Sequence, residues 1–115
     1  METFNEYQNH IASNFRKYPD AGKLTQTSLS YLLLKLNGEA GECAEKYGKL
    51  LRDENGVVGE YFRQALKLEL GDVQWYISEL ASVLGFTLQD IANSNVEKLT
   101  SRRERGVLGG SGDNR

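Results

Sequence analysis

"LNGEAGECAEKYGK", residues 36–49, combines a helical repeat of apolar residues with three glycines and three glutamates. Leu36, Ala40, Cys43 and Tyr47 recur every three or four residues, the period of an amphipathic helix. Gly38, Gly41 and Gly48 interrupt that run, and each glycine costs a helix about 0.8–1 kcal/mol relative to alanine. Glu39, Glu42 and Glu45 stand on the same stretch and would repel one another if brought together. A helix with both features needs a reason beyond its own propensity.

The apolar positions extend outward as a seam: Leu29, Leu33, Leu36, Ala40, Cys43, Tyr47 and Leu50, in alternating steps of four and three. Leu66, Leu70, Val73, Ile77, Leu80 and Leu84 make a second seam. Such seams pack against other helices. The spacing predicts a first helix from about Thr3 to Lys17, broken by Pro19 and Gly22, and a second from Thr25–Ser28 to about Arg52. "DENGVVGE" (53–60) reverses the chain. A third helix runs from about Glu60 to Leu84 and stops at Gly85, and Thr87 with Asp90 forms a capping box that opens a fourth, fading near Arg103. No segment alternates β-branched residues. The expectation is an all-α, antiparallel four-helix bundle over residues 1–105, followed by a flexible glycine-rich tail, 106–115.

A chain of 115 residues suits one domain. A net charge of -2 gives no global attraction to nucleic acid or to an anionic membrane. The single cysteine, Cys43, excludes an intrachain disulfide framework and a cysteine-based zinc cluster. No apolar stretch is long enough to span a bilayer, and no basic start followed by an apolar segment marks a secretory signal. A cytoplasmic protein is expected.

Glu39 and Glu42 each precede a seam residue, and so do Glu69 and Asp72. "EAGE" (39–42) and "ELGD" (69–72) share the order acid, seam residue, glycine, acid. On antiparallel neighbours these carboxylates can converge, an arrangement that opposes folding unless a cation joins it. Hard Mg²⁺ prefers such oxygen ligands. Gly41 and Gly71 would then let the helices or a ligand approach closely. A di-iron bundle needs Glu-x-x-His on two helices, and His10, the single histidine, follows Tyr7 at that spacing. Lys35, Lys46 and Lys49 flank the acids on the second helix, and Asn95, Lys98 and Arg102 share a face of the fourth. Acids that hold metal, flanked by cations, suit a polyphosphate. Tyr76, one turn after Asp72, and Trp75 beside it could stack on a base or donate to a phosphate.

"GEAGECAEKYGKLLRD", "ELGDVQWY" and "NVEKLTSRR" together resemble the MazG-like all-α nucleoside triphosphate pyrophosphohydrolases, across about residues 25–105. The "GSGDNR" ending is similar to that of a subset that includes phage-type members. The resemblance implies hydrolysis of NTPs or dNTPs to the monophosphate and pyrophosphate with Mg²⁺, or Mn²⁺ in its place, by a homodimer or homotetramer. It implies Glu39, Glu42, Glu69 and Asp72 as metal ligands, and Tyr76, Asn95, Lys98 and Arg102 as contacts to substrate. Many members carry another glutamate directly before the first ligand, where this chain has Gly38. Glu42 is the expected general base. The competing reading is a non-catalytic helical module that binds nucleotide–Mg²⁺ or a basic partner.

Overall fold

Thr3, Thr25 and Thr87 each open a helix in the computed structural model, which describes residues 1–115. Their hydroxyls accept from the backbone N–H of Glu6 (3.1 Å), Ser28 (3.0 Å) and Asp90 (3.0 Å), satisfying donors that a helix start leaves free. Four helices follow in chain order: α1, Phe4–Asn14; α2, Gln26–Glu54; α3, Glu60–Leu84; and α4, Leu88–Glu104. Asn55 (φ 56°) closes α2 and Gly85 (φ 82°) closes α3, both in the left-handed conformation that frees the chain to turn. The all-α, four-helix architecture expected from the seams is therefore the one observed.

One boundary differs. The periodicity carries the first helix to Lys17, but α1 ends at Asn14. Arg16 leaves the helical path to place its Nε 2.8 Å from Oε1 of Glu79 on α3, a carboxylate with no solvent exposure. A buried charge needs its partner more than a surface helix needs another turn.

α2 and α3 lie antiparallel, as the cross-contacts show. Tyr47 meets Phe62 (ring centroids 6.2 Å apart), Lys46 reaches Glu69 (3.7 Å), and Leu32 packs with Leu80 and Val83. Leu32, fully buried at the centre of the core, lies one position off the predicted seam. Seam residues Leu33 and Leu70 are instead about half exposed, at 52% and 54%. The antiparallel partner takes the flank of the stripe and leaves part of its middle uncovered. The expectation about Gly41 and Gly71 needs a similar correction. A Cβ at either position would meet no atom within 4 Å, so neither glycine serves the approach of α2 to α3.

α1 and α4 pack with each other and with α3, but α2 touches neither. Gln8 of α1 holds that second half together from a buried position. Its Nε2 donates to Ser82 Oγ (3.0 Å) and to the Phe86 carbonyl (2.8 Å), and its Oε1 accepts from Leu88 N–H (2.8 Å). One side chain thus serves the C-terminus of α3 and the first turn of α4. Residues 106–115 turn back on α4, where Asp113 pairs with Lys98 and Arg102, each at 3.1 Å. No helix is long and apolar enough to cross a membrane.

Candidate metal centre and substrate cavity

Antiparallel pairing brings the acids of "EAGE" and "ELGD" to the same level of the α2–α3 hairpin. Glu39, Glu69 and Asp72 each offer a carboxylate oxygen, and these oxygens lie within 4.8 Å of one another. Glu39 Oε2 is buried and has no hydrogen-bond partner. An orphaned buried oxygen of this kind is costly. Accordingly the Glu39 carboxyl is held above its ordinary pKa, first by loss of solvent, then by Glu42 through its charge and a hydrogen bond between the two carboxyls, and then by the charge of Asp72. Three hard oxygen donors with one lacking any partner fit a divalent cation such as Mg²⁺, which would supply the missing interaction. Glu42 lies beside Glu39 but outside that trio, in an exposed depression shared with Glu45, Lys46, Lys49 and Glu69.

Glu39 and Asp72 also line a cavity of about 360 Å³, within the range of small-molecule sites. Its other walls are aromatic except for one lysine: Tyr31 from α2, Trp75 and Tyr76 from α3, and Phe15 and Lys17 from the segment after α1. Trp75 meets Tyr76 edge-on (4.8 Å), and Tyr18 stacks on Tyr31 (5.7 Å, planes 7° apart) behind them. Burial, Tyr31 and the nearby carboxylates push the Tyr76 phenol up to about 12. Tyr76 therefore stays protonated at neutral pH and is a hydrogen-bond donor there.

The other residues singled out in the sequence divide. Lys46 is paired with Glu69, and Lys49 with Glu45 at 3.2 Å. Lys35 is exposed, near enough to Glu39 to lower its pKa slightly against the larger upward effects. Asn95 and Lys98 line a different groove, with Phe86, Asp90 and Ile91, on the α4 side of the molecule. Arg102 is buried, and its NH2 group donates to the Gly112 carbonyl (3.2 Å) and to Asp113 (3.1 Å). The chain alone does not bring these α4 residues to the acids of α2. Sequence reasoning missed the segment Phe15–Tyr18, which supplies part of the cavity wall. "FRKYPD" (15–20) carried a signal: two aromatics and two cations beside a proline are more than a plain turn needs.

Residues 26–107 match the MazG nucleotide pyrophosphohydrolase domain. The chain is also 48% identical over 105 residues to the Gene 37 protein of Mycobacterium phage L5, covering 90% of this chain and 92% of that one. No solved structure matches. The chain therefore belongs to the MazG nucleotide pyrophosphohydrolase family, a family of enzymes, and the acidic trio on α2 and α3 is its candidate metal centre.

Proposed function

We propose that the protein hydrolyses nucleoside or deoxynucleoside triphosphates to the monophosphate and pyrophosphate by attack of water at the α-phosphorus. The observation that carries this reading is the unpartnered, buried Glu39 Oε2, within 4.8 Å of carboxylate oxygens of Glu69 and Asp72 and beside an aromatic cavity. Glu39, Glu69 and Asp72 would hold Mg²⁺ or Mn²⁺, with Glu42 completing the acidic set. Bound there, the metal neutralises phosphate charge and favours a good leaving group.

The remaining work falls to this chain's own groups. Glu42, adjacent to Glu39 and outside the trio, would accept the proton of the attacking water once a metal engages Glu39. Trp75 and Tyr31 offer faces for a base, and Tyr76 donates its phenolic proton to a phosphate or sugar oxygen. Lys35, Lys46 and Lys49 place positive charge along α2, where pyrophosphate would leave. Asn95 and Lys98 would serve a substrate held by a second copy, with buried Arg102 holding Asp113 beside Lys98, which ties activity to a cytoplasmic homodimer or homotetramer. Support for that assembly is the apolar surface left open on α2 and α3.

A panel of nucleoside triphosphates, incubated with Mg²⁺ and resolved into monophosphate and pyrophosphate, tests the reading. Glu42→Gln and Asp72→Asn should each lower turnover at least about a hundredfold while helicity is retained, since loss of even an outer partner of a metal site costs about 10–100-fold. Absence of turnover in the unaltered protein would leave only a binding role.

A further inference from the structure

The cavity beside the acidic trio has a single cation among its lining residues, and it comes from none of the four helices. Lys17, in the segment between α1 and α2, lines the same space as Glu39, Asp72 and Tyr76. We infer that Lys17 is a substrate-binding residue that contacts the phosphate chain of the nucleotide in this cavity. The inference rests on the pyrophosphohydrolase reading above and adds a residue to it.

Three observations support it. First, the backbone on both sides of Lys17 is fixed. Arg16 Nε donates to both carboxylate oxygens of the fully buried Glu79, at 2.8 and 3.2 Å. Tyr18 stacks on Tyr31, meets Trp75 edge-on at 6.1 Å, and accepts a hydrogen bond on its hydroxyl from Gly22 N–H at 3.1 Å. Second, the Lys17 side chain itself is exposed, and its ammonium belongs to no ion pair; Lys46, Lys49 and Lys98 are each matched with a carboxylate, and Lys35, also unpaired, does not line this cavity. A fixed backbone places the root of this side chain at the cavity, and a free ammonium has no partner to give up on binding, so the remaining cost is the rotamer freedom of the lysine itself. Third, the charge of the cavity is unbalanced. Glu39 and Asp72 line the same cavity as Lys17, and a triphosphate brings several more negative charges. A metal held by the acids would neutralise only part of that total, so a further cation in the cavity lining has a defined task. Arg16 cannot perform it, because its guanidinium is committed to Glu79.

The test compares Lys17→Ala, Lys17→Glu and Lys17→Arg in steady-state hydrolysis with Mg²⁺, alongside inhibition by the nucleoside monophosphate and thermal melting. Lys17→Ala should raise KM for the triphosphate about tenfold, the value of one charge-assisted hydrogen bond. Lys17→Glu should raise it further, and Lys17→Arg should stay near the unaltered protein. Inhibition by the monophosphate should weaken less than triphosphate KM, because fewer phosphates are engaged, and the melting temperature should not move. A Lys17→Glu protein with unchanged KM, or equal weakening of monophosphate and triphosphate, overturns the assignment of Lys17 alone. Absence of turnover in the unaltered protein overturns the pyrophosphohydrolase reading and this inference with it.

Discussion

Glu39 carries opposite consequences with and without metal. In metal-free buffer its carboxylate is desolvated, faces Glu42 and Asp72, and has one oxygen without a partner. Its pKa in the folded chain lies above the ordinary 4.5, so the folded chain holds this proton more tightly than the unfolded chain does. The contribution of that proton to stability is fully present below the unfolded pKa, and it is lost as pH rises through the raised folded value. Glu39→Gln lacks this titration. In EDTA the variant should be the more stable protein, by a margin that grows from about pH 4.5 and levels off once Glu39 is ionised. Urea melts of both proteins across that pH range measure the margin. Mg²⁺ should reverse the order, because a ligand that binds only the folded state adds RT ln(1 + [L]/Kd) to its stability. Equal stabilisation of both proteins by Mg²⁺ would remove Glu39 from the metal centre.

At the scale of elements, the segment between α1 and α2 is tied to α3 by an ion pair as well as by the Tyr18 contacts. Glu79 has no exposure and its partner Arg16 is 28% exposed, so Arg16→Ala leaves a buried carboxylate with no counter-charge. Removing one partner of such a pair costs about 3 kcal/mol, and denaturant unfolding followed by circular dichroism should show a loss of that size. Phe15 and Lys17 would lose one of the two anchors that flank them, while Tyr18 keeps Tyr31, Trp75 and Gly22. This element also marks where sequence reading stopped. The helices were legible because their signals are local: threonine caps, Gly85 at a C-terminus, and apolar spacing through α2 and α3. The pairing of Glu39 with Glu69 and Asp72 was legible because antiparallel helices joined by a short loop align matched motifs. Arg16 with Glu79 was not, since 63 residues separate the partners and neither follows a periodic pattern. Leu32 was missed for a related reason: the seam gives the direction of a helix face, and only the partner decides which edge of it is covered.

The whole molecule exposes more surface than its size warrants. Its accessible area is 8184 Å², against about 6,300 Å² for a folded monomer of this mass. Its radius of gyration is 17.0 Å, against about 13 Å for a compact chain of this length. The excess exceeds the roughly 800 Å² that each partner contributes to a standard interface. Leu34 and Leu68 are each 73% exposed, Leu33 and Leu70 about half exposed, and all four lie on the helices that carry the acids. The chain should therefore sediment at no less than twice its own mass, and Leu34→Glu with Leu68→Glu should shift it toward the monomer. A sharp monomer boundary for the unaltered protein would contradict self-association and leave Asn95 and Lys98 without a route to the acids.

If the acidic trio and its neighbour Glu42 direct water to the α-phosphorus, the site of attack is readable in the products. Hydrolysis of a nucleoside triphosphate in ¹⁸O-labelled water, with Mg²⁺ and mass analysis of both products, reads it. The label should appear in the nucleoside monophosphate, and the pyrophosphate should be unlabelled. Label in pyrophosphate, or release of labelled orthophosphate with a nucleoside diphosphate, would contradict attack at the α-phosphorus.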